Sequence, residues 1–160
     1  MDIPSVNKLR ELLKDARIKP RIIRELRYVP SEILHSESRD FLVIMNKSRS
    51  EGVLLFEDLF YPFSLTKKAA SSTGRTDGII CDLCATWQRG SNAARITLPK
   101  DEKTTVSYLV CADLDCSLHV RDMTPDSKLS RVQLREHISP QDRATRLRGS
   151  LSRILSGLSV

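Results

Sequence analysis

The sequence has no long apolar run, and this absence excludes a membrane-spanning helix. No stretch approaches the roughly 20 consecutive apolar residues that a helix needs to cross a bilayer. The start of the chain, from Met1 to Ser5, also lacks the basic-then-apolar pattern of a secretion signal. We therefore expect a cytoplasmic protein without a membrane partner.

The sequence also lacks the usual signs of catalysis. No histidine lies beside a candidate nucleophile, and the few glycines form no phosphate-binding loop. No set of metal ligands leaves a coordination position open for water or substrate. These absences argue against an enzyme and against a small-molecule substrate, and they favour a protein that acts by binding.

Acidic residues are in the minority. The 160 residues include 20 aspartates and glutamates against 26 lysines and arginines, which gives a net charge of +6. Such an excess favours an anionic partner, either RNA or an acidic protein surface. The length and the 40% hydrophobic content suffice for one compact domain with a small metal-stapled lobe.

Only four cysteines are present, and they fall into two close pairs. Two residues separate Cys81 from Cys84, four separate Cys111 from Cys116, and 26 lie between the pairs. In a reducing compartment such pairs favour metal ligands over disulfides. Four thiolates suit one tetrahedral Zn²⁺ and close its coordination shell, as in structural sites. The alternatives are free thiols, a disulfide within each pair, or replacement of one thiolate by His119.

Helical patterns occur at both ends of the chain. Apolar residues recur at spacings of three and four over residues 6–16, and Pro20 opens a second predicted helix that extends to residue 27. Near the end, Ser139 and Pro140 are typical of a helix start. Residues 124–135 show no clear pattern, so we expect an exposed, mobile crossing there.

Strand patterns occur between these helices. Apolar runs at 41–45 and 52–56 flank a polar loop and predict a hairpin. A second hairpin is predicted from residues 94–98 and 105–110, between the two cysteine pairs. A cysteine turn, a hairpin and a short helix carrying Cys116, in that order, describe a treble clef.

These patterns together predict an α+β fold, with a small antiparallel sheet, flanking helices and a four-cysteine treble-clef zinc finger. We divide the chain into four parts: a short helical N-terminal segment (1–37), a strand-loop-strand part of the core (38–65), a linker or loop (66–78), and the zinc lobe with the C-terminal helix (79–160).

Three segments carry a resemblance to a known family. They are YLVCADLDCSLHVR (residues 108–121), CDLC (81–84) and DRATRLRGSL (142–151). Together they closely resemble the C-terminal treble-clef domain of the elongation factor G-binding family, the FusB-type fusidic acid resistance proteins. The likeness extends from about residue 38 onward. The short segment before it is similar to that of the compact members found in actinobacteria.

The resemblance implies a translation-associated binding protein with one structural zinc ion. Family members of the resistance type bind elongation factor G and promote its release from ribosomes stalled by the antibiotic. Elongation factor G is therefore the expected partner, with the ribosome or its RNA as a further one. A general RNA- or DNA-binding zinc module is the alternative, in which binding follows charge rather than partner identity.

Candidate partner contacts are aromatic and basic residues of the zinc lobe and the terminal helix, because such side chains supply much of the binding energy at interfaces. They are Trp87, Arg89, Lys100, Lys103, Tyr108, Arg121, Arg143 and Arg146. Structural alternatives remain for several of them. Trp87 can cover the zinc knuckle, Tyr108 can belong to the core, and the terminal arginines can form a solvated face.

Overall fold

Six antiparallel strands form the central sheet. The computed structural model of the protein describes residues 3–16, 18–67 and 77–158. In spatial order the strands are β1 (Leu26–Arg27), β2 (Leu42–Asn46), β3 (Glu51–Phe56), β4 (Leu59–Lys67), β7 (Ala93–Pro99) and β8 (Thr105–Cys111). A second, two-stranded sheet pairs β5 (Ile79–Ile80) with β6 (Trp87–Gln88).

Five α-helices flank the sheets in the described residues. They are α1 (Val6–Asp15), α2 (Pro20–Glu25), α3 (Cys116–His119), α4 (Pro125–Leu134) and α5 (Pro140–Leu155), and short 3₁₀ turns occur at Pro30–Glu32, Ser36–Ser38 and Gly90–Asn92. None of the helices in this part of the chain is both long and apolar enough to span a bilayer. The predicted α+β fold is confirmed.

The central sheet separates two hydrophobic cores. Successive side chains of a strand point to opposite faces, so Leu54 of β3 packs into one core and Val53 into the other. The first core contains the cysteines and α5, through Leu147 and its neighbours. The second contains α1, through Leu9 and its neighbours. Burial on both faces explains why β3 is apolar from Gly52 to Phe56 instead of alternating.

Local sequence signals place both terminal helices. The Ser5 hydroxyl accepts a hydrogen bond from the Lys8 amide and caps α1. At α5 the Ser139 hydroxyl accepts from the Asp142 amide and donates to its carboxylate. These bonds satisfy amides that lack partners within the helix. Both predicted helices are confirmed, as are the two hairpins, β2 with β3 and β7 with β8.

The second helix is shorter than predicted. It ends at Glu25 instead of residue 27, because Leu26 and Arg27 pair with Asn46 and Met45 as strand β1. Helical periodicity over so few residues is a weak preference, and pairing with the neighbouring strand outweighs it.

Strand β4 was not predicted. It contains Pro62, and proline within a run argues against a strand, since it lacks the amide that the ladder uses. Thr66 and Lys67, predicted as linker, continue this strand, while residues 68–76 of that segment lie outside the described residues. Because β4 pairs with both β3 and β7, one sheet continues across the predicted boundary. The four-part division of the chain remains a prediction.

The expected mobile crossing at residues 124–135 is wrong, because this stretch forms α4. Thr124 caps the helix by accepting a hydrogen bond from the Ser127 amide. Ser127 and Ser130 are buried, and the Ser130 hydroxyl accepts a hydrogen bond from the Trp87 amide at 2.8 Å. Small hydroxyl residues form the inner face of α4, so the sequence shows no apolar stripe there.

Asp40, just before β2, ties the sheet to the terminal helix. Its side chain is fully buried and accepts hydrogen bonds from Arg121 Nη2 at 3.0 Å and from Arg148 Nε at 2.7 Å. Burial raises the pKa of this carboxyl group, but the hydrogen bonds and charges of the two arginines outweigh burial and lower it. Ionised Asp40 therefore stabilises the folded state.

We expect the substitution Asp40→Asn to destabilise the protein by about 2–4 kcal/mol at neutral pH, because it leaves two guanidinium groups without their carboxylate. Urea unfolding measures this loss. The pKa of Asp40 is lower in the folded state, so the stabilisation is present above the ordinary aspartate pKa and is lost as the pH falls through the folded-state value.

The matched control is Asp58→Asn, at an exposed turn position with a φ of 63° that asparagine adopts readily. This control is expected to leave stability nearly unchanged. Equal effects of the two substitutions would contradict the role given to Asp40.

Candidate metal centre

The four cysteine sulfur atoms converge on one point. The Cys81 and Cys116 Sγ atoms lie 3.8 Å apart, and those of Cys84 and Cys111 lie 3.6 Å apart. All four Sγ atoms lie within 4.8 Å of one another, and all four residues are buried. With zinc–sulfur bonds of about 2.3 Å, a tetrahedral site requires sulfur atoms about 3.8 Å apart. The donor set and its spacing therefore fit one structural Zn²⁺, as predicted.

A disulfide within either pair does not fit this geometry. The short sulfur contacts join one cysteine of the first pair to one of the second, and all four cysteines are free. A disulfide requires a sulfur–sulfur distance of about 2.0 Å.

The electrostatics of the cluster also call for a cation. Burial raises the pKa of Cys81, but hydrogen bonds from the other three thiols outweigh it and lower that pKa well below its ordinary value. Hydrogen bonds with Cys111 and Cys81, together with burial, raise the pKa of Cys116 well above the ordinary value. Four thiolates buried this close together repel one another and lack water to stabilise their charge. A divalent cation supplies the charge that four thiolates require.

Three separate elements deliver the ligands. Cys81 follows β5 and begins a tight turn, in which the Ala85 amide donates to the Cys81 carbonyl at 2.8 Å. Ala85 has a φ of 55°, which reverses the chain after Cys84. Cys111 ends β8, and Cys116 begins α3. The predicted order of knuckle, hairpin and helix is confirmed.

A chain of buried polar groups supports the cluster. The Thr86 hydroxyl lies 2.9 Å from Cys84 Sγ and accepts a hydrogen bond from Gln88 Nε2. Because a zinc-bound thiolate has no proton, the hydroxyl is the donor to Cys84 Sγ when the metal is bound. Asn92 Nδ2 donates to Gln88 Oε1 and to the Asp113 carboxylate, both at 2.9 Å. Such groups fix the orientation of metal ligands and tune their charge.

His119 lies beside the cluster but outside the four-sulfur set. Its Nε2 is 3.2 Å from Asp113 Oδ1, and its Nδ1 is 2.7 Å from the Thr124 hydroxyl. Burial lowers the pKa of His119, but the hydrogen bond and charge of Asp113 outweigh burial and raise it. Both ring nitrogens thus have partners other than the metal. The imidazole instead connects the loop between Cys111 and Cys116 to the start of α4.

A sequence profile of the FBP C-terminal treble-clef zinc-finger family matches residues 28–158, a range that includes all four cysteines. The chain belongs to this family. The match confirms the FusB-type resemblance seen in the sequence, and the shared domain is a zinc-finger binding domain. Among curated proteins and among solved structures, no significant match was found.

Two predicted partner contacts on the terminal helix take part in internal ion pairs. Arg143 is 1% exposed and donates to the Asp122 carboxylate at 2.7 Å. Arg146 is partly buried and lies 2.7 Å from a carboxylate oxygen of Glu136. The prediction that Arg143 belongs to an exposed basic face is wrong, because acidic residues before the helix draw its side chain inward.

The other basic candidates divide into paired and unpaired residues. Arg121 binds the buried Asp40, and Arg89 lies 3.0 Å from Asp126. Lys100 and Lys103 are exposed on the hairpin turn between β7 and β8. Within the described residues, neither lysine has a carboxylate at ion-pair distance. These two predicted basic contacts thus combine exposure with the absence of an internal ion pair in the described residues.

The two aromatic candidates are half-buried. Tyr108 packs against the first hydrophobic core. Trp87 pairs with Ile80 across the small sheet, next to the zinc knuckle. Its indole ring lies so close to Gly78 that a Cβ added to this glycine would be 2.6 Å from three ring atoms. These contacts favour structural roles, and partner binding by either residue remains a prediction.

Sequence patterns do not predict the residues that support the cluster. Thr86, Gln88, Asn92 and Asp113 lie close to the cysteines in sequence, but spacing does not reveal which side chain points at a sulfur. Asp40 gave no local signal, since 81 and 108 positions separate it from its two arginine partners.

We expect Thr86→Val to weaken zinc binding about 10–100-fold, because the variant removes the hydroxyl that donates to Cys84 Sγ. Competition with a chromogenic chelator measures the affinity. The control is Thr97→Val, which removes a hydroxyl bonded to Ser107 on the sheet, away from the cluster. Unchanged affinity in the Thr86 variant would contradict the role of this hydroxyl.

We expect Gly78→Ala to displace the indole of Trp87 and to destabilise the protein by about 1–3 kcal/mol through overpacking. The chain has a single tryptophan, so its fluorescence spectrum reports this displacement directly. The matched control is Gly149→Ala in α5, where an added Cβ meets nothing within 4 Å. That control should be stabilising by about 1 kcal/mol, because alanine favours a helix over glycine. An unshifted spectrum in the Gly78 variant would show that the ring does not rest there.

Proposed function

We propose that this protein acts in translation as a non-catalytic zinc-finger binding protein that binds elongation factor G, the ribosome or both. Its membership of the FusB-type zinc-finger family carries this proposal. The closed four-cysteine site supports it, because four protein ligands leave no position for a substrate. By analogy with the resistance factors, binding promotes release of the factor from the ribosome in the cytoplasm.

Release by this route requires no covalent chemistry. A binding protein shifts a conformational equilibrium only by the difference between its affinities for the two states. The protein would therefore act stoichiometrically, by binding a free conformation of the factor more tightly than the ribosome-held one. A rigid zinc lobe suits this role, since preorganised surfaces lose little conformational entropy on binding.

The turn between β7 and β8 offers a surface for such a partner. Lys100 and Lys103 project from a turn that the Asp101 carboxylate holds in shape, by accepting hydrogen bonds from the Lys103 and Thr104 amides. The turn joins β7 to β8, and the opposite end of β8 carries the ligand Cys111. We propose that the two lysines contact an acidic surface of the partner, with Arg89 as a further contact.

We expect purified elongation factor G to be retained by the immobilised, zinc-loaded chain at moderate salt. The double variant Lys100→Glu, Lys103→Glu should reduce the retained factor several-fold, because it reverses charge on the proposed surface. Lys8→Glu, Lys14→Glu, an identical charge change on α1, is the matched control and should bind like the unaltered chain.

Parallel assays with ribosomes and with bulk RNA separate the proposed partners. Retention of ribosomes without the factor would place the partner on the ribosome. Complete displacement by bulk RNA, with a steep dependence on salt, would instead identify a general nucleic-acid-binding module. Absence of both factor and ribosomes from the bound fraction would contradict the proposal.

A further inference from the structure

A small apolar groove lies between helices α1 and α2. Its volume is about 270 Å³, and five aliphatic side chains line it: Val6, Leu9, Leu13, Ile23 and Leu26. Leu9 and Leu13 form a fully buried floor, whereas Val6 is 36% exposed. The groove is therefore an accessible apolar cleft on the surface of the N-terminal helices.

The groove belongs to a part of the chain that the family match does not include. The profile begins at residue 28, whereas all but one of the lining residues precede it. Residues 1–27 hold eight basic and four acidic residues, a net charge of +4 out of the +6 of the whole chain. An anionic partner for this segment is thus suggested independently of the zinc lobe.

The groove combines an apolar interior with cationic edges. Arg10 and Arg24 line it and are exposed, and no acidic residue lines it. Neither arginine has a carboxylate within ion-pair distance in the described parts of the chain. The one polar atom of the Tyr28 side chain, its hydroxyl oxygen, already donates to the Pro4 carbonyl at 2.6 Å. The interior consequently suits an aliphatic group, and the edges suit carboxylates.

The size of the groove points to a side chain rather than a cofactor. Small-molecule sites typically enclose about 300–1,000 Å³, and this groove lies just below that range. Protein interfaces, in contrast, are commonly anchored by one or two apolar side chains in a small pocket, with complementary charges at the rim.

We propose that the α1–α2 groove is a docking site for an acidic protein segment, which inserts an aliphatic side chain between Leu9 and Ile23 and places carboxylates on Arg10 and Arg24. A single-stranded nucleic acid fits less well. Its bases bind by stacking on aromatic faces, and the walls of this groove are mainly aliphatic.

The test uses the full-length, zinc-loaded chain and a fluorescein-labelled peptide, Asp-Glu-Leu-Leu-Glu-Asp, with binding measured by fluorescence anisotropy. The double variant Arg10→Glu, Arg24→Glu should weaken binding at least about tenfold, because it sets like charges against the peptide. Lys8→Glu, Lys14→Glu carries the same charge change on α1 outside the groove and should weaken binding less than about threefold. A peptide with serines in place of the leucines should bind at least about tenfold more weakly.

Several results would overturn the proposal. The two double variants could weaken peptide binding equally, or the serine peptide could bind as tightly as the leucine peptide. A single-stranded RNA could displace the peptide at a concentration below that of the peptide itself, or the peptide could fail to bind at about 1 mM. Circular dichroism and zinc content confirm that both variants remain folded. The outcome is independent of elongation factor G, whose binding is tested through the β7–β8 turn.

Discussion

Coordination of one zinc ion by four buried thiolates holds the second half of this protein in shape. The ligands come from a turn, a strand end and a helix start, and the two pairs are separated by 26 residues. Structural zinc sites contribute about 10–16 kcal/mol to folding of small zinc domains, which is comparable to the whole stability of a typical protein. We therefore expect the positions of α3 and of the polar chain through Thr86 to depend on the metal.

The central sheet connects the zinc lobe to the N-terminal half of the chain. Strand β7 leaves the zinc lobe and pairs with β4, so the treble clef and the N-terminal half share one sheet. Asp40 adds a second connection, because its buried carboxylate binds arginines from beyond α3 and from α5. The surfaces proposed for partners lie on different parts of this framework, one on the treble clef and one on helices α1 and α2.

Sequence patterns predicted the features that depend on neighbours in the chain. Cysteine spacing identified the ligands, and local caps and apolar runs identified α1, α5 and both hairpins. Features set by distant contacts escaped prediction. Pro62 argued against a strand at β4, and the buried serines left α4 without an apolar stripe. Arg143 is buried because it forms ion pairs with acidic residues that precede its helix. The contact between the Thr86 hydroxyl and the Cys84 sulfur could not be predicted either, since residue spacing does not show where a side chain points.

The most direct test of the central claim is native mass spectrometry of the purified chain combined with hydrogen exchange, before and after chelation. We expect one zinc ion per chain, with amide protection of β7, β8 and α3 that disappears when the metal is removed. A chain without zinc, or a chelated chain that keeps this protection, would contradict it.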